Sequence, residues 1–350
     1  MLLYQAPIWK KINEEAFENT VWEDSFEGKK VWGLTHDFAK AGVVMRFYQL
    51  LGILPPADLK ALKQFASKYL RSWKDLFFQY GFVKEVGREK SKILRKFVDD
   101  ELKKSDLPLY DTKKKVISEL ATVGAKKSFR ENMPEATVEV DLRLDVWKLW
   151  EDVSQMTKRQ IKKAQKRELD LKPAKTREEV LTYRKLWKKM AEKKWIGIRP
   201  LANFEKMMQI LWDEGAWELL LAWTGDGKLA YWAVFVFTGK RVNYLYGATN
   251  TTYSWAAHWT MWEAIKRYAE QRFEVFDFVW VPSIVATGHQ WQDLARFKYS
   301  FWGEHVEYRG NFDIVKNALG YMAYAAYFNA KNLASKNKKD GSKSRKKSKG

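Results

Sequence analysis

The chain has 350 residues, 46% of them hydrophobic, with a formal net charge of +20 and no Cys, which excludes disulfides, thiolate catalysis and zinc–thiolate sites. No apolar run approaches the ~18 residues of a membrane span. The start, MLLYQAPIWKK, lacks the basic start and long apolar core of a signal peptide, so a cytoplasmic protein is expected.

In chain order, a helix-like stretch follows Trp9, and Lys30–Leu34 and Val43–Leu50 read as strands. Pro55-Pro56-Ala57-Asp58 is a break with a cap. Asp58–Trp73 follows with Leu59, Leu62, Phe65, Ala66, Tyr69 and Leu70 at helical spacing. Leu76–Phe82 reads as a buried strand, Gly87–Lys104 and Asp111–Thr122 as helices, and Thr137–Leu142 as the strand that ends the first half. Residues 144–194 read as helical and very basic, with six cations among the ten residues Lys158–Arg167. Lys158, Arg159, Lys162, Lys163 and Lys166 form either a solvated helix face or a ridge that meets phosphates.

Trp217–Thr249 reads as an antiparallel meander, turning at Gly225-Asp226-Gly227 and Thr238-Gly239-Lys240. Its last strand, Arg241–Tyr246, stops at Gly247. A helix follows, with Ser254 as N-cap and Trp255, Trp259, Trp262, Ile265 and Tyr268 as its apolar stripe. Phe273–Val281 is the next strand. A strand, a crossover helix and a strand make a right-handed unit with parallel strands. The loops after Tyr246 and after Val281 then open at one sheet edge, where open α/β sheets bind ligands. Three antiparallel strands, a helix and a parallel strand are the order of the N-acetyltransferase fold. After Gly310, Asn311–Asn332 reads as an apolar helix and the Ser/Lys/Gly tail as disordered.

Residues 336–350 carry eight Lys or Arg against one Asp, which leaves about +13 for the rest of the chain. That balance favours a polyanionic partner: nucleic acid, an anionic lipid surface or a phosphorylated substrate. The four His residues are scattered, with no metal spacing, and no nucleophile elbow or phosphate-binding Gly loop is present. The Gly-rich turn that holds acetyl-CoA in ordinary N-acetyltransferases is missing between Gly247 and Trp255, so acetyl-CoA is not the expected donor and no cofactor is expected. What remains is cationic and phenolic. Lys298, in Arg296-Phe297-Lys298-Tyr299, either stabilises an oxyanion or departing oxygen or lies over Phe297 and Phe301. Tyr244 and Tyr246 alternate along one strand face. Arg199, in WIGIRPLANF, is placed to clamp a phosphate or carboxylate. Asp277 stands near a strand end, where a general base is conceivable.

These pieces resemble the Fem family of peptidoglycan bridge transferases, which move an amino acid from aminoacyl-tRNA to the amine of a cell-wall peptide precursor. The matching segments are QAPIWKK, LFFQYGF, MPEATVEVDL, TKRQIKKAQK, WIGIRPLANF, GKLAYWAVFVF, YLYGATN, FEVFDF and GHQWQDLARFKYSFWGEHVEYRGNFDIV, in the family's order over roughly residues 1–318. The resemblance implies an α+β chain of two tandem N-acetyltransferase-like (GNAT-like) domains, 1–143 and 144–318, followed by a C-terminal helix and tail, 319–350. It implies that Lys298 acts on the transferred acyl group, with Tyr246 as its catalytic companion. Arg199, Lys10, Trp9, Tyr244 and Asp277 are then the candidate substrate contacts. The implied partners are aminoacyl-tRNA, a nucleotide- or lipid-linked peptidoglycan precursor and, peripherally, the anionic inner face of the cell membrane. The sequence departs from the family at Gln79-Tyr80, where an acidic residue followed by Pro is usual, and at Val279-Trp280, where a Gly-containing turn is usual. No long coiled-coil arm stands between Phe204 and Trp217. Two alternatives stay open: an acyltransferase of this fold with another donor or acceptor, and a non-catalytic basic protein that binds RNA or the envelope.

Overall fold

The computed structural model describes residues 2–40, 43–98, 104–176, 178–180, 183–185, 187–188, 200–286 and 292–330. The same unit occurs twice. In the first, β1 (Thr20–Phe26), β2 (Lys29–Lys40) and β3 (Val43–Ile53) form an antiparallel meander, α2 (Lys60–Ser67) crosses over, and β4 (Asp75–Lys90) returns parallel to β3. In the second, β8 (Trp217–Trp223), β9 (Leu229–Thr238) and β10 (Arg241–Thr249) form the meander, α8 (Ala256–Glu270) crosses over, and β11 (Val275–Asp277) returns parallel to β10. The expected strand–helix–strand unit is therefore present, and so is its duplicate.

The two units form one sheet with the strand order β1-β2-β3-β4-β12-β6-β11-β10-β9-β8-β7. Its central strands are exchanged. β6 (Ala136–Asp141), from the first half, pairs with β11 of the second. β12 (Glu304–Val315), from the second half, pairs with β4 of the first. β6 and β12 pair with each other, and β5 (Ala125–Lys127) pairs with β12. β7 (Asp170–Pro173) closes the far edge.

Each face of the sheet carries a core. In the second unit, Ala233, Phe235, Val242 and Tyr244 pack on one side with Trp259, Trp262, Ile265 and Tyr268 of α8. Trp232, Val234 and Val236 pack on the other with Phe204, Met207 and Leu211 of α7 (Leu201–Asp213). In the first unit, Leu62 and Phe65 of α2 pack with Phe78, Tyr80 and Phe312, and the opposite side holds Phe47, Phe77, Tyr321 and Tyr324.

Several elements differ from the sequence reading. Asn311–Val315 is not helical; it is the end of β12, and the helix runs over 318–330. Asn311, Phe312, Asp313 and Ile314 are all buried, and a strand covered on both faces loses its alternating signature. Gly87–Lys90 continues β4, so the helix there, α3 (Ser91–Val98 among the described residues), starts at Ser91. β7 interrupts the expected helical stretch 144–194. Ser254 does not cap α8, which starts without a side-chain cap after a 3-10 turn that Asn250 caps instead. The expectation of a disordered tail falls outside the described residues.

Candidate active site

β10 and β11 are hydrogen-bonded only from Arg241↔Val275 to Asn243↔Asp277, yet β10 runs on to Thr249. The sheet therefore opens beyond Asn243 and Asp277, at the edge where parallel strands end. The chain after Asp277 fills this opening with a sharp turn. Val279 and Trp280 both have positive φ, +49° and +41°. A β-branched residue in the left-handed region is strained, at about 1–3 kcal/mol per residue.

The carbonyls of that turn meet one cation. Lys298, on α9 (Gln292–Tyr299), is only 4% exposed. Its Nζ donates to the carbonyl oxygen of Val279 and, at 2.9 Å, to that of Trp280. It lies 5.9 Å from the ring centroid of Tyr244. Burial pushes its pKa down to about 7, and the nearby Asp277 opposes that shift. The amine is therefore poised between its charged and neutral forms near neutral pH. Lys298 thus does not snorkel to solvent over Phe297 and Phe301.

Two buried carboxylates hold the turn. Asp277 accepts the Val279 N–H at 2.8 Å, the Thr137 hydroxyl, and Arg241 at 2.8 Å. Burial raises its pKa, against the pull of Arg241. Arg241 also reaches Glu139 at 2.7 Å, and Arg88 reaches Glu139 at 3.1 Å. The backbone N–H groups of Phe278 and Val281 donate to Val138 and Ala136 of β6, both at 2.9 Å. Farther along, Glu307 accepts Ser283 Oγ at 2.5 Å and the Ile284 N–H at 3.0 Å. Burial would raise the Glu307 pKa, but Lys113 at 2.9 Å and His305 at 3.0 Å outweigh it and bring it to about 2.

The candidate residues are not all brought together. Lys298, Tyr244 and Asp277 meet at the opening. Tyr246 does not share the face of Tyr244. A bulge between Tyr244 and Tyr246 turns it to the other side of the sheet, against Trp187 with ring centroids 4.9 Å apart. Strict alternation would have kept the two tyrosines together; the extra residue breaks the period of two. Tyr244 hydrogen-bonds to Tyr231 at 2.7 Å within the core. Gly247 leaves room for this pair, since a Cβ there would stand 2.3 Å from the Tyr244 hydroxyl. Trp9 is a core residue against Tyr4 and Phe17. Lys10, on α1 (Pro7–Lys11), pairs with Glu23 at 2.6 Å near the surface. Arg199 lies outside the described residues.

The basic helix is α6 (Gln155–Gln165), capped by Ser154, whose Oγ accepts the Thr157 N–H at 3.2 Å. Thr157, Ile161 and Ala164 are buried. Lys158 donates to the Glu151 carbonyl and stands over Trp150. Arg159, Lys162, Lys163 and Lys166 are exposed.

Sequence reasoning missed Arg241, Thr137, Glu139, His305 and Glu307. His305 and Glu307 are two apart on β12, and reading that segment as a strand would have put them on one face. Thr137 and Glu139 sit on β6, which reaches β11 only through the strand exchange, whereas Arg241 opens β10, the neighbour of β11 within its own unit.

Residues 152–293 match the family model described as an acetyltransferase (GNAT) domain, an acyltransferase domain. No curated protein sequence matches the chain. Among solved structures, FemX superposes with a TM-score of 0.63 at 15% identity, covering 93% of this chain and 94% of that one. The chain has the FemX fold. The C-terminal domain of a putative lysylphosphatidylglycerol synthetase from Agrobacterium fabrum is also similar, with a TM-score of 0.50, 11% identity and coverage of 90% and 95%. In this FemX-like chain the expected tandem GNAT architecture is present, and the opening between β10 and β11 lies within the matched GNAT segment.

Proposed function

We propose that the chain is an aminoacyltransferase that moves an amino acid from aminoacyl-tRNA to an amine of a peptidoglycan precursor. The observation that carries this reading is Lys298, a buried amine with a pKa of about 7 at the sheet opening, clasped by two carbonyls of a strained turn. In the proposed reaction the neutral acceptor amine attacks the ester carbonyl. A C–N bond forms, the ester C–O bond breaks, and the amine's proton is lost as the ribose oxygen gains one. Two of the three N–H groups of protonated Lys298 are held by carbonyls, which leaves one to meet the developing negative charge. A lysine of this pKa gives its proton to the leaving ribose oxygen and recovers one from the attacking amine.

Asp277 acts here as a positioning residue, since its oxygens are taken by Thr137, Val279 and Arg241. We assign tRNA phosphates to Arg159, Lys162, Lys163 and Lys166, with Lys158 at the inner rim. Tyr246, Lys10, Trp9 and Arg199 remain proposed contacts at the reaction centre or acceptor. The proposed domains, 1–143 and 144–318, are units that exchange their last strands. The proposed substrates place the reaction in the cytoplasm, at or near the inner membrane face.

The test is transfer of labelled amino acids from a mixed pool of charged tRNAs to lipid-linked and nucleotide-linked precursors, with wild type and Lys298→Ala side by side. Label should appear with wild type and fall by about 10²–10⁴-fold in the variant. Full transfer by a folded Lys298→Ala protein would sink the reading.

A second reading, the same chemistry on a different amine acceptor, is favoured by Gln79. Its side chain is fully buried and bonded to Gln49, Ser128, Asn132 and the Arg130 carbonyl. It offers no group to an acceptor where the Fem pattern has an acidic residue. Transfer to a free amine or an aminated lipid headgroup, with none to either precursor, would select this reading.

A further inference from the structure

Helix 318–330 has the sequence ALGYMAYAAYFNA, with no charged residue. One side is anchored: Tyr321 and Tyr324 pack on Phe77 and Phe129, and the Tyr321 hydroxyl donates to Asp313 at 2.8 Å. The other side faces outward and is apolar as well. Leu319 is 77% exposed, Met322 57% and Tyr327 44%, with Ala323 and Ala326 between them. These residues recur at three and four, so they form a single stripe. A helix on a protein surface ordinarily turns a polar face to water.

The stripe continues onto the body. Asn317 Nδ2 donates to the Trp73 carbonyl at 2.8 Å, which sets the start of the helix beside Trp73, itself 60% exposed. Cations border the patch: Arg71, Lys74 and Lys316 are exposed, and Lys74 stands 5.9 Å from the Trp73 ring centroid. The next twenty residues of the sequence, 331–350, hold nine Lys or Arg and one Asp.

We infer that this face docks on an anionic phospholipid surface. Leu319 and Met322 enter the acyl boundary, Trp73 and Tyr327 sit at headgroup depth, and the flanking cations meet the lipid phosphates. An aliphatic and aromatic stripe bordered by cations fits a bilayer interface, and a basic cluster directly beside it supplies the complement to anionic headgroups. A nucleic acid would match the cations and leave the apolar stripe uncovered. Among the described residues no helix is long and apolar enough to cross a membrane. The inference is independent of the acyl-transfer reading, because vesicle binding needs neither donor nor acceptor.

The experiment is sedimentation of the full chain with vesicles of phosphatidylcholine alone and of phosphatidylcholine with one part in four phosphatidylglycerol. Wild type should partition at least about tenfold more strongly to the anionic vesicles, and added salt should weaken this. The double variant Leu319→Glu/Met322→Glu should lose about tenfold or more of that partitioning, with an unchanged thermal melt because both side chains are exposed. Equal sedimentation of wild type and the folded double variant would overturn the inference, since cations alone would then account for binding. Absence of wild type from the anionic pellet would overturn it as well.

Discussion

A lysine held near pKa 7 by burial has consequences for both rate and stability. If its protonated form serves the leaving oxygen, kcat/KM falls above pH ~7. Lys298→Arg keeps a charge that does not titrate in this range, so that limb should vanish from its pH–rate profile while the rate itself drops. The stability effect has a definite sign. The folded pKa lies below the ordinary lysine value of 10.5, so between the two the unfolded chain binds more protons. Stability contributed at this site rises from pH ~7 toward 10.5, and the cost of the buried charge is full below ~7. Lys298→Met removes that term. Between pH 6.5 and 9 the melting temperature of wild type should rise more than that of the variant. Parallel curves would show that the lysine is not buried as described. Gly247 allows an equally local test. Gly247→Ala places a methyl against the Tyr231–Tyr244 hydroxyl pair, so urea unfolding should register a loss of about 1–3 kcal/mol.

At the scale of elements, the turn after β11 depends on strands far away in sequence. Glu307 on β12 holds Ser283 and Ile284, and Lys113 on α4 (Pro108–Thr122) neutralises Glu307 where neither side chain reaches water. Glu307→Gln leaves the Lys113 ammonium with the Tyr308 and Arg309 carbonyls and the more distant Glu135 carboxylate, 3.8 Å away. The expected cost is about 1.5–3 kcal/mol, read by chemical denaturation at pH 7. Because the carboxyl is held near 2, its contribution is present above the ordinary value of 4.5 and is lost as pH falls toward 2. Wild type and variant should therefore converge in stability through that window. The Glu139–Arg241–Asp277 cluster anchors the start of the turn, where two strands from different units meet.

Across the whole molecule, the exchange of β6 and β12 ties the two units into one sheet. Residues 144–350 alone lack β6, which leaves β11 with an unpaired edge, and lack β4, the partner of β12. That fragment is expected to be insoluble by itself and to be recovered with 1–143 on co-expression. A soluble, cooperatively folding 144–350 fragment would contradict the coupling of the units. The net charge of +20 also acts at this scale. Reversing Lys162, Lys163 and Lys166 to Glu should raise KM for charged tRNA with little change in kcat. It should also flatten the dependence of log affinity on log salt by roughly 0.7–0.9 per lost phosphate contact. An unchanged slope would return α6 to the role of a solvated face.

The strand–helix–strand unit of the second half was legible in the sequence because its periods are local. Trp259, Trp262, Ile265 and Tyr268 recur as a helix must, and the strands of the meander are marked by Gly turns. Lys298 could be singled out by its neighbours and by the Fem-like order of motifs. Its environment could not, because the carbonyls of Val279 and Trp280, the Asp277 bridge and the Glu307 anchor arise from contacts between distant segments. Asn311–Val315 was misread for a related reason: a central strand buried on both faces carries no alternation to recognise. Local pattern thus determined the elements and their order. The exchange of β6 and β12, the bulge that separates Tyr244 from Tyr246, and the burial that lowers the pKa of Lys298 belong to the tertiary structure alone, since desolvation and strand partnership are properties of the packed whole.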